Sequence, residues 1–241
     1  MSILLKSIYA IHNTAFGGDT IKTCGKRVQP FLFFIILVCI QFYILFGNGM
    51  TGLSDNGDFI RVMRPNYIVN RETGPENRFT FIKNYYLEPK GSTKAEKALN
   101  LLLTLEEPMS YPSLQHLFIK FGILVNLLFN SITRRDILTF NIGALGLLHI
   151  TAYAASLALL MDNLRGKDLY RDIIMKIIAV VMFCDVGYVA YFNSFYGEAP
   201  QLVFFILAAG LGLKLLRNGG SLGSIILFYV ALIAFAWTKF A

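Results

Sequence analysis

Two short acidic segments of this chain carry side chains suited to chemistry on a hydroxyl or a phosphate. The first reads Ser54-Asp55-Asn56-Gly57-Asp58-Phe59. Two carboxylates three positions apart beside a glycine can offer oxygen ligands to a divalent cation, or one of them can act as a general base. The same string also reads as a turn, because Asn and Gly tolerate positive φ and Asp bonds its own backbone. Arg61 and Arg64 follow at once. Guanidinium groups can hold a phosphate bidentately, although a solvated loop or lipid headgroups would also use them.

The second segment runs from Asp185 to Pro200 and contains Tyr188, Tyr191, Asn193, Tyr196 and Glu198. Asp185 falls inside an apolar run, where an ionisable group is expensive and usually faces a partner or a watery cavity. The spacing of Asp185, Tyr188 and Tyr191 predicts one shared helix face directed toward Glu198, which opens the next apolar run. Interfacial tyrosines ordinarily form an aromatic belt. That covers Tyr191 and Tyr196 but does not explain Asp185, Asn193 and Glu198 beside them. His149, alone inside an apolar run, reads as a hydrogen-bonded packing residue, and His12 and His116 are uninformative. No H-E-x-x-H, Walker or G-x-S-x-G pattern occurs. Cys24, Cys39 and Cys184 form no C-x-x-C pair and read as buried free thiols.

The elements that must position these residues are membrane helices. Apolar residues make up 55% of the 241, charged residues only 15%, and the mean hydropathy is +0.56, against roughly 25% charged residues in a soluble domain. Crossing a bilayer takes about 20 mostly apolar residues. Four runs fit, at 30–46, 137–161, 173–192 and 200–216, and a fifth begins at Leu222 and is cut off by the C-terminus. Pro30 and Asp172 suit helix starts. The net charge of +7 orients loops and does not indicate a nucleic-acid partner, since no basic stripe interleaved with aromatics is present. Lys22, Lys26 and Arg27, then Arg165, Lys167 and Arg171, then Lys214 and Arg217 fall on one side if each run crosses once. The positive-inside rule makes that side the cytoplasm. The expectation is a multi-pass cell-membrane protein with a cytoplasmic N-terminus.

The fold class expected is therefore an all-α integral membrane protein of about five transmembrane helices with a long outer first loop. Residues 1–29 form a cytoplasmic segment and 30–241 the transmembrane domain, including outer loop 48–136. Within that loop 94–105 reads as a short helix. Over 113–130, Leu114, Leu117, Phe118, Phe121, Leu124, Val125 and Leu128 recur at spacings of three and four, which predicts an amphipathic helix lying along the outer interface. A sixth crossing there would put the basic loops on opposite sides.

On these residues the chain resembles the C-type glycosyltransferase (GT-C) superfamily: a first span, then an outer loop bearing Asn56-Gly57-Asp58-Phe59, then a second acidic motif Asn193-Ser-Phe-Tyr-Gly-Glu198 on the same face. It looks most like bacterial membrane hexosyltransferases of cell-surface glycan assembly. The resemblance implies a polyprenyl-phosphate-linked sugar donor, a glycan or protein acceptor and a bilayer setting. It implies catalytic roles for Asp58 and Glu198, and substrate contacts from Asn56, Arg61, Arg64, Asp185, Asn193 and Tyr196. A divalent cation is possible, with no ligand set or other cofactor specified. Family members usually carry more spans, so the resemblance also implies a fragment or truncated product, inactive alone if part of the acceptor site is missing. Rival readings are a transporter or flippase component, with Asp185 on the translocation path, and a non-catalytic assembly subunit. A transporter should show an internal repeat or paired broken helices, and the sequence shows neither.

Overall fold

The computed structural model describes residues 18–71, 79–103, 105, 113–166 and 168–238. Residues 1–17 of the N-terminal segment, Tyr111, Pro112 and Lys167 lie outside the described residues.

Helix α1 spans Gly18–Phe46. It begins well before Pro30, which lies inside the helix and not at its head. After it come a one-turn helix α2 (Ile60–Met63), a 3-10 turn (Arg64–Asn66), strands β1 (Ile68–Val69) and β2 (Asn84–Leu87), and helix α3 (Lys94–Leu103). Next are α4 (Gln115–Thr133), β3 (Thr139–Asn141), α5 (Ile142–Leu164) and α6 (Leu169–Phe183). The short α7 (Val186–Val189) leads through a 3-10 turn (Ala190–Asn193) into α8 (Glu198–Asn218) and α9 (Leu222–Trp237).

Polar side chains set the helix starts. Asn141 accepts from the Gly143 amide at 2.9 Å and Asp168 from the Tyr170 amide at 3.0 Å. These N-caps satisfy first-turn donors that would otherwise be unpaired. The second apolar run therefore starts at Ile142 and not at 137, because Thr139–Asn141 is drawn into a sheet. Thr93 and Glu96 cap α3 reciprocally: the Glu96 amide donates to Thr93 Oγ1 at 3.2 Å, and the Thr93 amide to Glu96 Oε2 at 3.1 Å. Asp172 is not a cap. It is buried and paired with Lys176 at 2.7 Å, one turn along α6.

Four of the described helical segments are long and apolar enough to cross a membrane, at 29–46, 115–133, 142–164 and 198–217. The pair 169–183 and 186–193, bent by 56°, would make one more. The chain is an all-α, multi-pass membrane protein. Helix α5 is the most buried of these segments and packs against α1, α4 and α8, while α9 packs on α8. Gly210 of α8 lies against the Leu160 backbone, and Asn163 donates to the Gly210 carbonyl at 3.2 Å. Small residues and interhelical amide bonds are what hold helices together where water supplies no hydrophobic drive. Cys184 is a buried free thiol, whereas Cys39 is free and exposed on α1. Cys39 thus departs from the expectation because its helix face is unpacked.

Helix α4 is apolar enough to span, and side chains at both of its ends are tied to other elements. Near its start, Gln115 Nε2 donates to the Ser194 carbonyl at 3.5 Å, and Ser113 Oγ to the carbonyl of Thr238, just past the end of α9, at 3.3 Å. Toward its other end, Asn130 donates to the Thr139 carbonyl at 2.7 Å and Asn126 to the Asn141 carbonyl at 3.1 Å, just before α5. All these partners sit at the loop end of the bundle, where α1 and α9 finish and α5 and α8 start. Helix α4, about 28 Å long, runs back beside the start of α5: Asn126 bonds the Asn141 carbonyl, Gly122 faces Leu145 and Phe118 stacks on His149. Leu117, Phe121, Leu124, Leu128 and Ile132 form an exposed apolar stripe along it, while Ile119 and Ile123 are fully buried on the other side.

The loop end carries a small antiparallel sheet in the order β1-β2-β3, with Ile68 opposite Leu87 and Tyr85 opposite Phe140. Tyr85, Leu87 and Phe140 bury one face together with Phe59, Ile119 and Ile123. Phe195 closes this cluster. It is 1% exposed, its ring meets Phe59 at 5.3 Å and Tyr85 at 5.0 Å edge-on, and it stacks on Phe140 at 5.9 Å. One side chain from the α7–α8 connection thus fastens the first loop to the bundle. Phe195→Ala should cost about 3–5 kcal/mol, read as chemical unfolding in nanodiscs. A loss under about 1 kcal/mol, no more than an average substitution gives, would show that Phe195 is not the fastening.

Candidate functional site

The first acidic segment folds as the turn its composition allows. Asp55 Oδ1 accepts from the Gly57 amide at 2.6 Å and from the Phe59 amide at 3.1 Å, and Asn56 Oδ1 from the Asp58 amide at 3.2 Å. Gly57 has φ of 110°, a conformation glycine adopts without a Cβ penalty. The two carboxylates therefore divide their work. One oxygen of Asp55 is taken up by backbone amides, while Asp58 is exposed and meets Arg61 at 3.3 Å. Phe59 turns inward, 4.7 Å edge-on from the Tyr196 ring, and anchors the turn. Arg64 is exposed at the start of the 3-10 turn.

The second segment differs from the helical face that its spacing predicts. The helix breaks at Cys184-Asp185 and bends by 56°. Asp185 is exposed, and its carboxylate caps α7 by accepting from the Gly187 amide at 2.8 Å. It is not a charge buried within a continuous helix. The bend delivers Asn193 through Glu198 to the first loop. Asn193 is fully buried and donates to the Thr51 carbonyl at 2.7 Å. The Tyr196 hydroxyl donates to the Ser54 carbonyl at 3.1 Å and accepts from the Asn56 amide at 3.1 Å. Glu198, half-buried, is the first residue of α8, where the helix dipole favours a negative charge.

The structure thus brings the turn bearing Asn56, Asp58 and Arg61 together with Asn193, Tyr196 and Glu198 at one end of the bundle, and leaves Asp185 apart as a cap. Burial pushes the Tyr196 hydroxyl above its ordinary pKa. The Asn56 amide opposes this, and the negative charges of Asp55, Asp58 and Glu198 add to it. Tyr196 therefore lies in the common field of carboxylates from both segments. Tyr85 is raised too, by burial first and Asp55 second.

Several residues that build the site carry no chemical signature. His149 Nδ1 donates to the Phe192 carbonyl at 3.0 Å, since a carbonyl can only accept, and its ring stacks on Phe118 at 4.8 Å. It is the packing residue expected. Gly146, one turn earlier on α5, lets Asn193 approach, because a Cβ there would collide with Asn193 Oδ1. Gln115 holds the Ser194 carbonyl. Their roles depend on contacts across more than forty residues of chain. Among the described residues no group of three or more His, Cys, Asp or Glu side chains is placed to hold a metal ion. One oxygen of Asp55, which a cation would recruit, already serves two amides.

Fold and site together define a polytopic helical membrane domain whose first long loop and α7–α8 connection meet at one end. The family model for the YfdI N-terminal transmembrane domain matches residues 18–241, and the chain belongs to that family. No curated protein and no solved structure matches the chain.

The close approach of Asn193 to α5 can be tested directly. Gly146→Ala should lower stability by about 1–3 kcal/mol through overpacking, read as a shift of the thermal unfolding midpoint in nanodiscs. Gly122→Ala, whose added Cβ would meet its nearest atoms at 3.6 Å, should be nearly neutral. Equal effects for the two would refute the packing assigned to Asn193.

Proposed function

We propose that this domain is the sugar-transferring part of a membrane glycosyltransferase, working at the outer face of the membrane on a sugar carried by a polyprenyl phosphate. The observation that carries this reading is the meeting of the two acidic segments. The Tyr196 hydroxyl spans the first turn from Ser54 to Asn56, two residues short of Asp58, while Tyr196 itself sits two residues before Glu198. A carboxylate from each segment thus stands two residues along the chain from the contact that joins them. The GT-C resemblance gives that arrangement a chemistry, and membership of a transmembrane-domain family is compatible with it.

In this reading Asp58 takes the proton of the acceptor hydroxyl as its oxygen attacks the anomeric carbon. The bond from that carbon to the phosphate oxygen breaks, and the lipid phosphate leaves with the electron pair. A carboxylate within hydrogen-bond reach supplies about 100-fold or more to such a step. Arg64, exposed close to Asp58 in the chain, offsets the charge gathering on the phosphate, while Arg61 keeps Asp58 in place through their ion pair. Glu198 accepts from a sugar hydroxyl. Asn56 offers its side chain at the surface. Asn193 and Tyr196 act mainly by joining the two segments, because their described bonds go to backbone. Asp185 has no part in the step.

Asp58→Asn and Glu198→Gln, assayed for transfer of labelled sugar from a polyprenyl-phosphate donor in membranes holding the complete protein, should each lose about 100-fold or more in rate. Wild-type rates in both variants would remove the proposal.

A further inference from the structure

The stretch that follows Asp58 is tied to α4 by a bond between two buried polar side chains. Asn66, the last residue of the 3-10 turn, is fully buried, and His116, in the first turn of α4, is 5% exposed. Asn66 Nδ2 donates to the Val62 carbonyl, one turn back in the chain, at 2.7 Å, and meets His116 Nδ1 at 2.7 Å. The carbonyl fixes which way the amide points, because turned over it would set Oδ1 against the Val62 oxygen, two acceptors face to face. His116 Nδ1 must therefore accept. His116 is thus neutral, with its ring hydrogen on Nε2.

The turn needs such a tie. Tyr67, next to Asn66, has φ of 60°, left-handed backbone that a residue with a Cβ adopts at a cost. Conformations of that kind persist where the surroundings hold them. Here the holders stand on α4: His116 takes Asn66, and Lys120, one turn further along, lies over the Tyr67 ring at 5.5 Å. Val62, Met63 and Tyr67 are buried, whereas Arg61 and Arg64 on the same stretch are exposed. The charged groups around the bond are Lys120 on the same helix and Arg64, two residues before Asn66. Among the described residues that line the cavity beside His116, α3 presents Leu102 and Leu103 and α9 presents Trp237, so neither helix adds a charge.

A proton added to His116 changes Nδ1 alone, since Nε2 carries a hydrogen before and after. Two N–H donors then face each other where one hydrogen bond stood. The amide can answer by moving off the ring. It can also turn Oδ1, which takes no hydrogen bond among the described residues, onto the ring and give up the Val62 carbonyl. Either response loosens the turn. We propose that the Asn66–His116 bond is a pH-sensitive latch, closed while His116 is neutral and opened when His116 takes up a proton, and that His116 thereby positions the stretch bearing Arg61 and Arg64. A positive charge gained one turn from Lys120 adds to the opening. A bond accepted by the neutral ring favours the neutral ring, so the latch holds at high pH and is lost as the pH falls. Its consequence for sugar transfer rests on the glycosyltransferase reading, in which Asp58 and Arg64 act.

Nitrogen-15 resonances of the histidine rings, recorded on the full chain in nanodiscs, read the protonation. His116, assigned by its loss in His116→Asn, should show a bare Nδ1 at about pH 8 and a protonated one by about pH 4.5, on either side of the value of about 6.5 for an ordinary histidine. Hydrogen exchange, corrected for its intrinsic dependence on pH, reads the release. Protection of the Met63 and Tyr67 amides should fall about ten-fold over that range, the size of one lost hydrogen bond. His116→Asn, whose side-chain oxygen can stand near the place of Nδ1 without titrating, should keep the high-pH protection throughout. His116→Leu should show the acid level at every pH. A hydrogen on Nδ1 at pH 8, no fall in the wild type, or the same fall in His116→Asn would each overturn the proposal. Exchange involves no turnover, so its outcome separates from that of the catalytic reading. The exchange response without sugar transfer sinks the catalytic reading alone, and transfer without the exchange response sinks the latch alone.

Discussion

Residues 192–195, where a 3-10 turn gives way to irregular backbone, are almost wholly buried, and the rest of the loop end depends on how that segment is kept. Non-helical backbone at such a depth survives only where its polar groups find partners inside the protein. Here each partner comes from a different element. His149 on α5 supplies the Phe192 carbonyl and Gln115 on α4 the Ser194 carbonyl, while Ser194 turns its own hydroxyl onto the Tyr191 carbonyl at 2.6 Å. Phe195 then inserts into the aromatic set of the first loop. With hydrogen bonds on one side and rings on the other, the segment is fixed in both directions, and Glu198 follows it into place.

That arrangement sorts the polar residues by use. Asn193, Asp185 and one oxygen of Asp55 are engaged with backbone, and the energy of their hydrogen bonds goes into holding shape. Asp58 is exposed and paired with Arg61, and Glu198 is half-buried at the head of α8. The division follows from geometry: a carboxylate at the first position of an Asx turn faces the amides that follow it, and one at the last position does not.

Much of the architecture was legible in the sequence, because a bilayer imposes simple demands. Apolar runs of membrane length and the three-and-four spacing of 113–130 identify the helices, and the packing role of His149 follows from its isolation in an apolar run, whereas the helix starts expected at Pro30 and Asp172 lie elsewhere. The sheet was not legible. Strands of two to four residues are too short to display a period of two, and β1 and β2 draw their stability from long-range pairing. The break at Cys184-Asp185 was equally hidden, since Asp in an apolar run reads alike as a buried charge and as a cap.

By itself, then, the sequence determined that this is a helical, multi-pass membrane chain with two acidic segments near helix ends, because hydropathy, turn chemistry and capping are local properties. Only the tertiary structure decided that those segments meet, that Asp185 caps a short helix, that α4 packs beside the start of α5, and that Gly146, Gln115 and Phe195 are what bring the meeting about. These outcomes depend on contacts between residues far apart in the chain, and a contact of that kind leaves no mark on the local pattern of either partner.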